Sequence, residues 1–229
     1  MIVNGELVEG SSGTPVRLAE FDAVYDELSR RTQTHAAFFK LKNQQIIDDG
    51  LSTSRVYYTP TSRIRALADD QGHETLLTYG AAYRLFSITD AKGNLRTFDY
   101  DSASNVATIT ETEQSDLGGS PQTFIARRFY DALNRVVESR NNAGQSRFHA
   151  YDSRSNLVRA IDELRNRTVQ DFDGLARPTV TTRTLTDDGT GNGQVIGTIV
   201  TQSAWDDSSR LIARLDGTGE TTTYAYDPL

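Results

Sequence analysis

An aromatic residue followed by Asp recurs along the chain, at Tyr100-Asp101, Tyr130-Asp131, Tyr151-Asp152, Phe172-Asp173, Trp205-Asp206 and Tyr226-Asp227. With Tyr58 and Tyr79 included, the separations 58 to 79, 79 to 100, 130 to 151, 151 to 172 and 205 to 226 are all 21 residues. A fixed period of that length commits the chain to equal supersecondary units laid side by side, each contacting its neighbours, in place of one wrapped core. The exceptions, 100 to 130 and 172 to 205, are longer by 9 and 12 residues. Their surplus falls in the polar, Gly-rich stretches 114–122 and 187–194, which read as lengthened hairpin loops.

A second landmark begins eleven residues after the aromatic in four repeats: Asp69-Asp70-Gln71-Gly72, Asp90-Ala91-Lys92-Gly93, Asn141-Asn142-Ala143-Gly144 and Asp216-Gly217-Thr218-Gly219. Asp or Asn first and Gly fourth is the preference of a type I β-turn. Two such turns per repeat leave about thirteen residues for two strands of six or seven, near the usual strand length. The segments between turns are rich in β-branched and apolar residues, as in Leu157–Ile161, Leu211–Leu215 and Thr221–Tyr224. Each repeat therefore predicts one β-hairpin plus its link to the next. The six-residue offset from the aromatic is apolar at Ile64, Leu85, Val106, Val136, Leu157, Pro178 and Leu211, so one face is expected to be buried and the other solvated.

The array is expected to occupy residues 21–229, with repeat starts near 25, 58, 79, 100, 130, 151, 172, 205 and 226 and insertions near 33–50, 114–122 and 187–194. Residues 1–20 read as an N-terminal arm or partial hairpin. Tyr25-Asp26 is an early start, although Leu18, Phe21, Val24, Tyr25 and Leu28 also fit a helical spacing. Ile46-Ile47-Asp48-Asp49-Gly50 reads as a strand ending in a turn. So many strands exceed what a twisted open sheet usually carries, and the sheet is expected to curve.

Composition narrows the chemistry. Apolar residues, counted with Gly and without Tyr, come to about 40%, against ~45–50% in ordinary globular domains, which argues against a thick core. The absence of cysteine excludes disulfides, thiolate metal sites and a cysteine nucleophile. A net charge of −7 without a basic stripe speaks against a nucleic-acid partner. No apolar run reaches membrane-spanning length, and the N-terminal residues carry no signal-peptide pattern.

At the residues quoted, the sequence resembles the RHS-repeat, or YD-repeat, family, whose motif runs Tyr-Asp-x-x-Gly-Asn/Arg-Leu and on to Asp-x-x-Gly. The Asn/Arg position is matched at Arg30, Arg63, Arg84, Asn105, Arg135, Asn156, Arg177 and Arg210. The resemblance implies an all-β array of antiparallel hairpins, a segment of an RHS-type β-shell such as those of bacterial toxin complexes and teneurin-like proteins. Its implied partners are other repeats of a longer chain and an encapsulated toxin domain, and its implied setting is the bacterial cell surface or the medium. Where the family has Gly, this chain has Ser29, Ser62, Tyr83, Ser104, Asn134, Ser155, Ala176 and Ser209. If the position needs a left-handed backbone, each non-Gly residue costs about 1–2 kcal/mol. The chain stops at Tyr226-Asp227-Pro228-Leu229, partway into a further motif, as an excerpt of something longer would.

No catalytic, cofactor-binding or metal-ligating residues are nominated, and the chain reads as non-enzymatic. The candidate residues are the repeat motif itself: Tyr58, Tyr79, Tyr100, Asp101, Tyr130, Asp131, Tyr151, Asp152, Phe172, Asp173, Trp205, Asp206, Tyr226 and Asp227. The rings could form a sugar-stacking platform, giving a carbohydrate-binding adhesin with surface glycans as partners. The stronger expectation is packing on neighbouring hairpins, with Phe172 implying that the hydroxyl is dispensable. The aspartates are expected to accept hydrogen bonds within their own turns. Asp188–Gly193 lacks the closing Glu of a calcium loop and reads as a flexible tip. His35, His73 and His149 lack metal-ligand spacing.

Overall fold

The computed structural model describes residues 3–9, 16–40 and 45–227. The helical alternative for the early segment fails, because Phe21, Val24 and Tyr25 lie in a strand and Leu28 in the turn after it. The strands run β1 (Val3–Glu9), β2 (Val16–Tyr25), β3 (Arg31–Phe39), β4 (Ile46–Tyr58), β5 (Ile64–Ala68), β6 (Glu74–Tyr79), β7 (Leu85–Thr89), β8 (Leu95–Tyr100) and β9 (Val106–Glu113). They continue as β10 (Gln122–Tyr130), β11 (Val136–Arg140), β12 (Ser146–Tyr151), β13 (Leu157–Ile161), β14 (Arg167–Phe172), β15 (Pro178–Thr186), β16 (Val195–Trp205), β17 (Leu211–Leu215) and β18 (Thr221–Thr223). All eighteen belong to one antiparallel sheet. The expected strand end at Gly50 is absent, since β4 continues through it and pairs with β3, Ala37 opposite Leu51 and His35 opposite Thr53. The arm or partial hairpin expected over residues 1–20 falls partly on residues 10–15, outside the described residues, while β1 and β2 form a ladder, Val3 opposite Ala23 through Glu9 opposite Val16.

Two compact units result, Met1–Asp99 with Thr110–Phe124, and Tyr100–Ile109 with Ile125–Leu229. In the first, β1 to β8 pair in sequence order. In the second, β10 to β18 do the same. The expectation of one buried face is corrected. Among the described residues the buried apolar side chains are only Ala19, Ala37, Ala66 and Ala68, and no large side chain is fully buried. Some strands instead alternate exposed and half-buried positions, as β6 does from Glu74 to Tyr79, while others, such as β11, are half-buried along their whole length. A chain this poor in aliphatic side chains cannot fill a thick core, so cohesion rests on backbone ladders and side-chain hydrogen bonds.

Hairpin length follows a rule. The pairs β5/β6, β7/β8, β11/β12 and β13/β14 each combine a five-residue with a six-residue strand. Three others are long: β3/β4 with 9 and 13 residues, β9/β10 with 8 and 9, and β15/β16 with 9 and 11. From β3 onward, two short hairpins separate each long one from the next. The surplus residues near 33–50, 114–122 and 187–194 therefore extend strands as well as loops.

The overhanging strands have open edges, which invite unwanted pairing. Turns of the flanking short hairpins close them. Asp70 Oδ1 accepts from the Thr53 backbone N–H at 2.6 Å, and Asn142 Oδ1 from that of Ile125 at 2.9 Å. Asn94 Oδ1 takes the Gln114 N–H at 2.7 Å. The tip read as flexible, Asp188–Gly193, is anchored: Gly191 N–H donates to the Leu164 carbonyl at 2.7 Å, and a Cβ on Gly191 would lie 1.7 Å from the Arg165 carbonyl oxygen.

Candidate functional site: an aromatic and arginine ladder along the Tyr-Asp edge

Both hairpin edges use one turn design. After Tyr25, Asp26 N–H donates to the Arg30 carbonyl at 2.9 Å and Ser29 N–H to the Asp26 carbonyl at 3.0 Å. At the opposite edge Asp69 and His73, with Gly72 and Asp69, do the same at 3.1 Å each. The first carboxylate caps the turn: Asp131 Oδ1 accepts from the backbone of Leu133 and Arg135, and Asp152 Oδ1 from Arg154 and Asn156. This is the role expected for the repeated Asp. The fourth turn residue is left-handed throughout. It is Gly at φ +83 in Gly72 and +85 in Gly93, but Ser at +59 in Ser29, +61 in Ser62 and +67 in Ser155, and Ala at +61 in Ala176. The right-handed alternative for these turns is thus excluded. A turn that the Asp-x-x-Gly signal missed, Asp162–Asn166, has the same geometry with Arg165 at φ +70.

The aromatic closes each strand just before the turn and pairs across a register shift with the residue six further on, Tyr151 opposite Leu157 and Trp205 opposite Leu211. Its polar tip reaches one hairpin back. Tyr58 donates to the Arg31 carbonyl at 2.9 Å, Tyr79 to Ile64 at 2.7 Å, Tyr130 to Val106 at 2.9 Å and Tyr151 to Val136 at 3.0 Å. The Trp205 indole N–H reaches Pro178 at 2.9 Å, and Tyr226 reaches Leu211 at 2.9 Å. Every acceptor lies six residues after the preceding aromatic. Six rings make this bond, and Phe172, which has no donor, does not.

Arginine completes the ladder. Arg135 Nε bonds Asp131 Oδ2 at 2.8 Å, its guanidinium lies 4.7 Å from the Tyr151 ring centroid, and Nη1 donates to the Asp152 carbonyl at 3.0 Å and Ser155 Oγ at 3.1 Å. Arg177 repeats this with Asp173 at 2.6 Å, the Trp205 ring at 5.9 Å, Asp206 at 2.7 Å and Ser209 at 3.3 Å. Arg30 joins Asp26 at 2.7 Å, Tyr58 at 4.6 Å and Ser62 at 2.9 Å. Arg210 pairs with Asp206 at 2.7 Å and lies 5.0 Å from the Tyr226 ring. A planar fork with five donors can serve a carboxylate, a π-face and a second turn at once, which a lysine cannot. Asn105 makes a shorter version, bonding Asp101 Oδ2 at 3.0 Å and Asn134 Oδ1 at 2.8 Å.

These donors hold the carboxylates below their ordinary pKa. For Asp26, Asp173 and Asp206 the largest cause is the backbone N–H four residues on, from Arg30, Arg177 and Arg210. For Asp131 it is the Arg135 guanidinium, and for Asp152 the Asn156 side-chain amide.

The arrangement binds hairpin to hairpin. His35 Nδ1 lies 2.6 Å from Asp22 and contacts Gln33 through Nε2, and His73 Nδ1 lies 2.9 Å from Asp69. Among the described residues neither pairs with a serine, and no group of three metal-ligating side chains converges. An open hollow of about 240 Å³ is lined by Asp90, Asn94, Arg96 and Glu111, the last two joined by an ion pair at 2.5 Å.

No family model and no curated protein matches the chain. Solved structures do. A crystal structure of TcdB2–TccC3–Cdc42 superposes with a TM-score of 0.58 at 15% identity, over 93% of this chain and 12% of that one. A Tc holotoxin pore from Photorhabdus luminescens superposes with a TM-score of 0.61 at 10% identity, over 97% of this chain and 14% of that one. The chain has the RHS-type hairpin fold. This RHS-type array thus spans about an eighth of the length of the chains it resembles. At these identities the likeness is one of fold. Among the described residues no helix is long and apolar enough to cross a membrane.

Proposed function

We propose that this RHS-type segment is a length of wall in a secreted or surface-exposed bacterial β-shell, and that the shell encloses a toxic polypeptide. The observation that carries the reading is the ladder: groups of the Tyr-Asp turns, such as Asp131, Arg135 and the Tyr151 ring, tie one hairpin to the next. A surface built that way does mechanical work and needs no cofactor or catalytic group. The fold likeness to toxin-complex chains many times longer agrees with a wall segment.

The test is protease protection on the protein expressed from its whole reading frame. Protection of one stretch until the hairpin array is opened by denaturant is the expected result. Cleavage of the entire chain at one uniform rate would overturn enclosure.

The adhesin reading has less support, because guanidinium groups lie over the Tyr58, Tyr151, Trp205 and Tyr226 rings that would stack on sugars. A glycan array checks it. Saturable binding abolished by Trp205→Ala would restore it in place of the wall.

A further inference from the structure

In five Tyr-Asp turns the left-handed residue sits where Gly would be unstrained and contacts the residue facing it from the previous hairpin. Ser62, Ser155 and Ser209 each accept from an arginine, at 2.9, 3.1 and 3.3 Å from Arg30, Arg135 and Arg177. Asn134 accepts from Asn105 at 2.8 Å. Tyr83 presents its ring to Arg63, with the guanidinium 4.3 Å from the centroid. Ala176 offers no polar side-chain atom to its facing residue, Asn156, whose amide bonds its own Asp152 at 2.8 Å, so that interface carries no latch.

From this matching along one chain we infer that the residue four after each aromatic is the receiving half of a hairpin-to-hairpin latch. Its donor is the residue five after the previous aromatic, and it is selected for that donor at the expense of its own backbone. The strain at φ +67 in Ser155 is local to one hairpin, whereas the return, a bond to a charged donor, exists only when the neighbour is docked. Each unit is weakened and each interface strengthened. In a one-dimensional array that shift makes hairpins open together instead of singly. The latch concerns adhesion between repeats and stands whether or not the wall encloses anything.

The test is a double-mutant cycle on the full chain in urea, with Ser155→Gly, Arg135→Ala and the pair, and Ala176→Gly as the unlatched control. Ala176→Gly should raise the folding equilibrium constant about fivefold by relieving strain alone. Ser155→Gly should leave it unchanged or lower it while Arg135 is present, and raise it about fivefold in the Arg135→Ala background. Equal gains from Ser155→Gly in both backgrounds would overturn the latch. If Arg135→Ala does not fold, the two glycine variants decide: a gain at 155 matching that at 176 overturns it, and a gain only at 176 supports it. Hydrogen exchange gives a second readout. Amides of the turn 131–135, one hairpin back, should exchange faster in Ser155→Gly and not in Ala176→Gly, and unchanged exchange in both would count against the inference.

Discussion

The hydroxyl of Tyr151 donates to the backbone carbonyl of Val136, 3.0 Å away and one hairpin earlier. That carbonyl belongs to the residue where the register shifts opposite Tyr130, so the phenol bonds the ladder at its irregular point. Tyr151→Phe should cost about 1 kcal/mol, the net value of one such bond. Tyr151→Ala should cost roughly 3 kcal/mol, the lower end for aromatic truncation, because the ring is half-buried. Urea unfolding of the two variants measures both, and equal losses would show that the hydroxyl contributes everything.

Phe172 stands in the same register with no hydroxyl, leaving the Leu157 carbonyl without the phenol that its counterparts receive. Phe172→Tyr is therefore expected to stabilise the array by about 1 kcal/mol. A lowered urea midpoint would mean that the ring is held too far from the carbonyl.

Acid should weaken the array in a defined direction. Asp26, Asp131, Asp152, Asp173 and Asp206 all have lowered pKa values in the folded chain. A lowered folded value means that the unfolded chain takes up protons first. The stabilisation is complete above the ordinary carboxylate pKa of about 3.9 and is lost as pH falls through it towards the folded values. Melting temperatures should be flat from pH 7 to about 5 and decline below that. Asp131→Asn should start lower at pH 7 and decline less.

The two long-hairpin tips should respond oppositely to insertion. Gly191 leaves no room for a side chain and donates to Leu164, so Gly191→Ala or an inserted residue beside it should cost more than about 1 kcal/mol. Leu117, at the tip of 114–121, is 97% exposed, and insertion after it should be near neutral. Thermal melts of both insertions compare them directly.

Closing an overhanging edge should also be measurable. Asn142→Ala removes the acceptor of the Ile125 N–H, and exchange at that amide should accelerate about tenfold or more for a loss near 1.4 kcal/mol. Exchange unchanged from the parent would assign the protection to another group.

The repeat, the hairpin and the turn-capping Asp were legible because they recur at fixed spacing. The ladder was half legible: the ring register was plain, but an acceptor carbonyl leaves no mark in a sequence, so the bond from Tyr151 to Val136 could not be read. The Arg positions were recognised by resemblance, yet their three-way contact needs the next hairpin in place. Arg165 escaped because the turn signal was tied to Gly. The regular placing of long hairpins was present in the intervals, which run 33, 21, 21, 30, 21, 21, 33 and 21 from Tyr25 onward. Read as separate insertions near 33–50, 114–122 and 187–194, they concealed the pattern. The burial expectation failed for a physical reason, since periodic apolar positions mark a preferred face without supplying the volume to cover it.

That spacing of long hairpins sets the quantum in which such a gene can grow or shrink. From Tyr25 to Tyr100 is 75 residues and from Tyr100 to Phe172 is 72. Duplicating or deleting such a triplet keeps every overhang between turns able to cap it. Removing a single 21-residue unit throws the downstream overhangs out of phase, pressing them against flanks that carry the wrong side chains.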